Sequence, residues 1–208
     1  MTESAQLAFD LGHRPALGRD DFLVAPCNRD AVAWIDRWPD WPGPALVILG
    51  PPGCGKSHLA QVWRRRADAA GESVVDDADR PGDDVALFHL FNRRAEDGAH
   101  LVLTARTPPA RWRGRLPDLV SRLAAAPTVT IGAPDDALIG HVLVKLFADR
   151  QLEIGAEVVS YLVRHMERSF DAARRLAAAA DAAGLAAKRR VTVPLVREVL
   201  AATGHDPV

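Results

Sequence analysis

Residues 45–63 read ALVILGPPGCGKSHLAQVW, in which an apolar run is followed by glycines and prolines, a lysine, a serine and a segment with helical spacing. A continuous apolar run of this kind is typical of a buried parallel strand. Glycines between a strand and a helix let successive backbone N–H groups converge on an anion, and the positive end of the helix adds to the attraction. The stretch therefore predicts an α/β fold that binds an anion where this strand meets this helix.

The segment Gly50–Ser57 matches the phosphate-binding motif GxxxxGK[ST] in full, with the strand before it and the helix after it that the motif requires. Lys56 is expected to contact the β- and γ-phosphate oxygens, and the Ser57 hydroxyl to ligate Mg²⁺. The predicted cofactors are therefore ADP or ATP with Mg²⁺. The nucleotide-binding residues predicted in this segment are Gly50, Pro51, Pro52, Gly53, Cys54, Gly55, Lys56 and Ser57.

The composition is that of an ordinary globular protein. The 208 residues are 48% hydrophobic and 25% charged, and the net charge of −1 gives no overall basic character that would indicate nucleic-acid binding. The two cysteines, Cys27 and Cys54, indicate neither a disulfide framework nor a zinc site. The N-terminus lacks the features of a signal peptide, and no apolar run approaches the length of a membrane helix. We expect a cytoplasmic protein that does not associate with membranes.

The pattern of elements changes at Gly132–Ala133–Pro134. Before this point predicted strands alternate with predicted helices, which favours a mostly parallel sheet, and after it every segment has helical character. We therefore predict a flexible tail over residues 1–18, an α/β base over residues 19–133 and a helical lid over residues 134–208. Asp135 and Ser169 are expected to be N-caps of lid helices.

A second acidic motif follows the predicted strand ESVV. In Val74–Asp77, two carboxylates come at the carboxyl end of a strand, which is where open α/β sheets bind ligands. We predict that Asp76 contributes to the Mg²⁺ shell and that Asp77 orients or deprotonates the attacking water. An alignment shifted by one would place Asp77 on the metal and Ala78 at the base position, and a plain acidic surface loop is the simpler alternative.

The segments GPPGCGKSHL, HLVLTARTPP and LPDLVSRL, followed by four predicted helices, resemble AAA+ ATPases of the DnaA-related clade. Within that clade they are most similar to Hda-type regulators, which inactivate the replication initiator DnaA. The resemblance runs from QLAFDL to PLVREVL, nearly the whole chain. It implies an AAA+ P-loop fold, in which a short parallel sheet with flanking helices is followed by a C-terminal helical lid.

The resemblance also assigns roles to residues outside the phosphate-binding motif. Arg122, in LPDLVSRL, matches the arginine finger, which reaches a nucleotide bound by a neighbouring subunit and stabilises the transition state. Phe22, Leu23 and Val24 occupy the place where the family packs the adenine base. Both roles are expectations carried over from the family.

The tail contains a segment that resembles a sliding-clamp binding peptide. In QLAFDL, Gln6 would hydrogen-bond at the rim of a groove, while Leu7, Phe9 and Leu11 would be its apolar anchors. An apolar patch that folds back on the domain is the alternative. The implied partners are the DNA polymerase sliding clamp and DnaA, with a homodimer also permitted. No helix-turn-helix segment follows the lid, so we expect no direct sequence-specific DNA binding.

Three departures from the family pattern bear on activity. Lys56 and Asp76 are about 20 residues apart, whereas the family inserts another strand and helix between these motifs, so we expect a four-stranded sheet without one edge strand. The acidic sensor-1 position of the family falls on Arg106. A gapless reading places the sensor-2 arginine on Asp171, and the nearby candidates are Arg168, Arg174 and Arg175. These changes favour nucleotide binding with weak or partner-dependent hydrolysis.

Three functions are compatible with this sequence. The first is a clamp-associated regulator that promotes hydrolysis of ATP bound to DnaA and so limits re-initiation of chromosome replication. The alternative is an autonomous AAA+ ATPase of helicase-loader type that acts as its own oligomer, whose turnover would be lost in Asp77→Asn and Lys56→Ala. A small-molecule P-loop kinase is the third, but the short base offers no room for its substrate-binding insertion.

Overall fold

The computed structural model describes residues 23–67, 73–187 and 189–202. Within these residues the base contains four parallel strands in the order β2-β3-β1-β4. The prediction of a small four-stranded parallel sheet is confirmed. The strands are β1 (Ala45–Leu49), β2 (Ser73–Val75), β3 (Leu101–Ala105) and β4 (Thr128–Thr130).

Helices cover both faces of this sheet. Because successive strand residues point to opposite faces, Leu46 and Ile48 of β1 belong to one core cluster and Ala45 and Val47 to another. The first cluster is covered by α1 (Arg29–Asp36) and α2 (Lys56–Arg66), and the second by α3 (Asp84–Glu96) and α4 (Pro117–Ala125). The base therefore has three layers, with the sheet between two layers of helices.

β1 lies at the centre of the sheet and leads directly into the glycine-rich loop. It pairs with β3 on one side and β4 on the other, and its first four residues are fully buried. Beyond its last residue, the Gly50 N–H donates to the Ala105 carbonyl at 3.2 Å. The loop therefore starts from the buried centre of the sheet.

The lid is a separate all-helical layer with its own core. Its helices α5 and α7 are both capped at the N-terminus by side chains, because the Asp135 carboxylate accepts from the Leu138 N–H at 2.8 Å and the Ser169 hydroxyl accepts from the Ala172 N–H at 3.1 Å. Both predicted N-caps are thus confirmed. The lid helices are α5 (Asp136–Ala148), α6 (Ala156–His165), α7 (Phe170–Ala187) and α8 (Val193–Ala202).

Backbone hydrogen bonds hold the lid, and the segment that leads into it, against the base. The Phe170 N–H at the start of α7 donates to the Gly53 carbonyl of the glycine-rich loop at 2.9 Å. The Gly132 N–H, between β4 and α5, donates to the Cys27 carbonyl at 2.8 Å, and Cys27 packs against the lid core. The glycine-rich loop is thus in direct contact with the lid. No helix in the described ranges 23–67, 73–187 and 189–202 is long and apolar enough to cross a membrane.

Candidate functional site

A cavity of about 670 Å³ lies between the carboxyl edge of the sheet and the lid. Its walls come from the glycine-rich loop and α2, from the loops after β2 and β3, and from α5 and α7. The residues that line it are Leu23, Asn28, Pro52, Gly53, Gly55, Lys56, Ser57, His58, Gln61, Asp77, Arg80, Arg106, Val142, Lys145, Leu146, Asp149, Arg150, Phe170, Asp171 and Arg174. The cavity therefore combines the predicted phosphate-binding loop with residues of the lid.

The glycines of the loop are required by its geometry. A Cβ atom at Gly50 would lie 2.4 Å from the Ile131 carbonyl oxygen and 2.6 Å from Cys54 Sγ, which is closer than such atoms approach. Gly53 and Gly55 have φ values of 67° and 98°, in the left-handed region that glycine adopts without strain. The loop can keep its compact shape against Ile131 and the lid only with glycine at these positions.

Lys56 is held inside the loop. It is only 6% exposed, and its ammonium group donates to the carbonyls of Gly50 and Pro51, each at 2.8 Å. These two carbonyls hold the ammonium group within the loop, and the Lys56 side chain also lines the cavity. Ser57, in the first turn of α2, is exposed and lines the cavity as well. The arrangement suits a ligand with phosphate groups, as the motif predicted.

The two predicted carboxylates point in different directions. Asp77 lines the cavity, whereas Asp76 is exposed and its Oδ1 accepts from the Thr104 hydroxyl at 2.8 Å. The Asp77 N–H donates to the same hydroxyl at 3.0 Å, and Asp77 has a left-handed φ of 49°. Of the two carboxylates, Asp77 is therefore the one that faces the cavity.

Thr104 was not among the residues singled out from sequence. It is fully buried in β3, where its hydroxyl contacts both Asp76 and the backbone of Asp77. The available signal was a hydroxyl residue within the otherwise apolar run LVLTA of the third predicted strand. Thr104 therefore positions the acidic segment relative to β3.

The residues present fit a magnesium ion only in combination with a phosphate ligand. In the described part of the chain, no group of three or more His, Cys, Asp or Glu side chains could hold a metal by itself. Ser57 and Asp77 both line the cavity and would each supply one oxygen. Mg²⁺ is usually bound by one or two protein oxygens together with substrate phosphates and water, so this donor set is adequate for a nucleotide-bound ion.

Positive charge predominates around the cavity. Six lysine and arginine residues line it against three aspartates, an excess that favours a polyanionic ligand. The cations are Lys56, Arg80, Arg106, Lys145, Arg150 and Arg174, and the aspartates are Asp77, Asp149 and Asp171.

Only one of the three candidate sensor-2 arginines lines the cavity. Arg174 does so, and its guanidinium lies 3.0 Å from Asp171 one turn earlier on α7. Arg168 instead pairs with Asp136 at 2.8 Å, and Arg175 lies 3.8 Å from the carboxylate of Glu167. Among the three candidates, Arg174 is thus the arginine that a bound phosphate could recruit by exchange with Asp171.

The segment expected to pack the nucleotide base is partly visible. Leu23 lines the cavity, Val24 is 51% exposed, and Phe22 lies outside the described residues. Asn28, which sequence reasoning missed, is 2% exposed and holds this segment in a tight turn. Its Oδ1 accepts from the Ala25 N–H at 2.8 Å, and its amide donates to the Leu23 carbonyl at 2.9 Å.

Arg122 lies apart from the cavity. It is exposed on α4, and its guanidinium carbon is 5.3 Å from the ring centroid of Phe88 on α3. An arginine in this position is available to a second molecule rather than to the nucleotide site of its own chain. The predicted clamp-binding residues Gln6, Leu7, Phe9 and Leu11 lie outside the described residues.

Cys54 belongs to the glycine-rich loop, and it is buried, with 1% of its surface exposed. Burial raises the pKa of its thiol, although nearby Lys56 acts in the opposite direction. Because the thiol is buried and its pKa is raised, we expect iodoacetamide at pH 7.5 to alkylate Cys54 at least about tenfold more slowly than glutathione. Mass spectrometry of timed digests measures this rate, and urea-unfolded protein is the control. Labelling as fast in the folded protein as in urea would contradict the expectation.

The fold of this chain is similar to that of several solved structures. The chain superposes on domain III of the replication initiation protein DnaA from Thermotoga maritima with a TM-score of 0.79 at 16% identity, covering 91% of this chain and 97% of that one. It superposes on DnaA bound to AMPPCP and single-stranded DNA with a TM-score of 0.69 at 18% identity, covering 91% and 70%. A single-residue variant of RuvB from Thermotoga maritima gives a TM-score of 0.70 at 13% identity, covering 92% and 73%. These likenesses define an AAA+ P-loop fold.

A family comparison narrows this assignment. Residues 139–200 match the family model described as the lid domain of Hda. This part of the lid is therefore similar to the Hda lid domain, and the match agrees with the resemblance drawn from the motifs.

Proposed function

We propose that this protein is a clamp-associated regulator that promotes hydrolysis of ATP bound to the initiator DnaA, which limits re-initiation of chromosome replication. The observation that carries this proposal is the Hda-type lid on a DnaA-like base. The exposed position of Arg122, away from the cavity of its own chain, supports an action on a nucleotide held by another molecule.

The cavity of this chain would hold ADP or ATP. The N–H groups at the start of α2 and the Lys56 ammonium would bind the phosphates, while Ser57 and Asp77 would contribute oxygens to Mg²⁺. The metal would neutralise charge on the β- and γ-phosphates. Leu23 and the lid residues Val142 and Leu146 provide an apolar wall for the adenine ring of the nucleotide.

A nucleotide in this cavity would contact both domains. Gly53 of the loop accepts from Phe170 of α7, and Asp171 and Arg174 of the same helix line the cavity. The bound nucleotide would therefore stabilise one arrangement of lid and base. In this proposal its main role is conformational, and the reaction that matters takes place on the DnaA-bound ATP.

Single-turnover hydrolysis of ATP prebound to DnaA tests the proposal, with this protein and DNA-loaded clamp present together, singly or not at all. We expect acceleration only when both are present. Steady ATP turnover by this protein alone, with no effect on DnaA, would instead support an autonomous AAA+ ATPase.

Removal of residues 1–12 tests the clamp-binding segment. Without Gln6, Leu7, Phe9 and Leu11 we expect clamp binding to be lost, because the proposed peptide anchors are all removed. Nucleotide affinity should be unchanged, since the residues predicted to bind nucleotide, Phe22 to Val24 and Gly50 to Ser57, all lie outside the deleted segment. Surface plasmon resonance on immobilised clamp and nucleotide titration measure the two properties, and clamp binding equal to that of the full chain would refute this role of the tail.

A further inference from the structure

Tryptophans and arginines come together at the amino edge of the sheet, at the opposite end of the strands from the cavity. The helices α1 and α2 end there, and their last residues, Asp36 and Arg66, lie 3.5 Å apart. His100, which directly precedes β3, lies at the same edge. We call the side chains that reach solvent here the amino-edge surface, and its members are Trp34, Arg37, Trp38, Arg64, Arg65 and Arg66.

Two buried tryptophans support this surface from below. Trp63 is fully buried and Trp41 is 8% exposed, and their rings are stacked with centroids 5.5 Å apart. Trp38 packs edge-on against Trp63 at 6.3 Å, and its Nε1 donates to Nδ1 of His100 at 3.2 Å. Trp38 itself is only half-buried. An indole whose position is fixed by these contacts therefore presents part of its ring to solvent.

Arginines surround the second half-buried indole, that of Trp34. The guanidinium carbon of Arg37 lies 4.8 Å from the centroid of the Trp34 ring, which is within the range of a cation–π interaction. Arg64 and Arg65, in the last turn of α2, are exposed. The charged side chains at this edge are Arg37, Arg64, Arg65 and Arg66 on one hand and Asp36 and Asp40 on the other. Positive charge is therefore in excess next to the exposed parts of the two indoles.

The other arginine-rich segment, the loop after β3, offers a ligand no such ring. Its tryptophan, Trp112, is 8% exposed, and the Trp112 Nε1 donates to the Thr107 carbonyl at 2.8 Å. The guanidinium of Arg115 lies 5.0 Å from the same ring and pairs with Asp84. The indole of that loop is thus buried and covered, whereas those of Trp34 and Trp38 reach solvent.

A single-stranded nucleic acid is the ligand that would use both features of the amino-edge surface. Its phosphates pair with guanidinium groups, and its unpaired bases stack on aromatic rings whatever their sequence. In a duplex the bases are stacked on one another, and an acidic peptide would use the arginines alone.

We propose that the amino-edge surface binds single-stranded nucleic acid without sequence preference. The arginines would contact the phosphates, while bases would stack on Trp34 and Trp38. This binding goes beyond the proposed function, and it depends neither on the nucleotide cavity nor on DnaA.

Fluorescence-anisotropy titration of a labelled oligothymidylate of about 12 nucleotides, a length that one binding surface can cover, tests the proposal with the full chain. Saturating ADP with Mg²⁺ keeps the strand out of the cavity. At low salt we expect the oligothymidylate to bind at least about tenfold more tightly than an abasic strand of equal length, because only the former can stack. In Trp34→Leu this preference should fall below about threefold, and Trp34→Phe should retain most of it, since phenylalanine also stacks.

A pair of double variants locates the strand on the protein. Arg64→Ala/Arg65→Ala should weaken oligothymidylate binding about tenfold at low salt and reduce the slope of log K against log salt by about 1.4, because two phosphate contacts are lost. Arg111→Ala/Arg113→Ala is the matched control, since it removes two exposed arginines from the loop after β3. Its affinity should stay within about twofold of that of the parent chain.

The outcomes separate this inference from the proposed function. Failure of the strand to bind at low salt would overturn the inference, and so would equal affinity for the abasic strand, which would indicate a surface that recognises negative charge alone. Loss of binding in Arg111→Ala/Arg113→Ala but not in Arg64→Ala/Arg65→Ala would also overturn it, because the strand would then lie on the other loop. A lack of DnaA stimulation would leave the inference standing, since the titration contains no DnaA.

Discussion

Arg122→Ala is expected to lower the stimulated hydrolysis of DnaA-bound ATP by about 10³-fold or more, to the rate seen without this protein. Arginine fingers supplied by a partner are worth about 10³–10⁵ in rate, because they stabilise charge that develops on the transferring phosphoryl group. Arg122 is exposed and stacks on Phe88, so its removal leaves no buried charge unpaired. Single-turnover assays with loaded clamp measure the loss.

Arg197→Ala is the matched control for this experiment. Like Arg122, Arg197 is exposed and stacks on an aromatic ring of a neighbouring helix, here Tyr161 at 5.6 Å, but it belongs to the lid. We expect Arg197→Ala to retain stimulation, and both variants to keep the nucleotide affinity and clamp affinity of the parent chain. Full stimulation by Arg122→Ala would show that another group supplies the transition-state charge.

The phosphate-binding loop could be predicted from sequence because its geometry is local. The positive φ values at Gly53 and Gly55 require glycine whatever surrounds them, so the motif alone carries the information. The four-stranded sheet was predictable for a similar reason, since about 20 residues between Lys56 and Asp76 leave no room for an extra strand and helix.

Residues whose roles depend on distant partners could not be predicted in the same way. Thr104 contacts the acidic segment 27 and 28 residues earlier in the chain. The exact end of β2 and the left-handed backbone at Asp77 decide which of the two aspartates faces the cavity. The amino-acid sequence pattern specifies neither of these features. The choice of Arg174 over Arg175 likewise depends on the rotation of α7 about its axis, which lid packing sets, whereas Arg168 precedes this helix.

For the alanine-rich segment of α7, too, the sequence predicts the secondary structure but not the orientation of the helix. Its composition predicted a helix, and residues 170–187 are helical. Its buried residues Ala173, Ala177 and Ala180 belong to the lid core, where their small side chains permit close packing of helices. Composition gave the secondary structure, while the orientation of the helix that brings Asp171 and Arg174 to the cavity came only from tertiary contacts.

A nearly buried arginine connects the cavity with the helix of Arg122. Arg115 donates to the carbonyls of Ala78 and Arg80, in the turn that follows Asp77, and pairs with the carboxylate of Asp84 at the start of α3. It lies just before α4, which carries Arg122. A displacement of the turn after Asp77 would therefore be transmitted to α3 and α4 through the Arg115 side chain.

Arg115→Ala is accordingly expected to lower the free energy of unfolding by about 3 kcal/mol. The Arg115 side chain is 10% exposed and that of Asp84 17%, so the substitution leaves a nearly buried carboxylate without its counter-charge, a change that costs about 3–5 kcal/mol when burial is complete. It also removes the donors to two carbonyls and the contact with the Trp112 ring, 5.0 Å away. Urea unfolding followed by tryptophan fluorescence measures the change.

A matched control and a double variant identify the cause of the destabilisation by Arg115→Ala. Arg111→Ala, an exposed arginine of the same loop, should change stability by less than about 0.5 kcal/mol. Asp84→Ala/Arg115→Ala should cost clearly less than the sum of its single variants, because neither charge is then left unpaired. Arg115→Lys should recover only part of the loss, since an ammonium cannot reproduce the planar fork that contacts Asp84 and both carbonyls at once. Strict additivity in the double variant would mean that the Asp84–Arg115 pair does not couple α3 to the acidic turn.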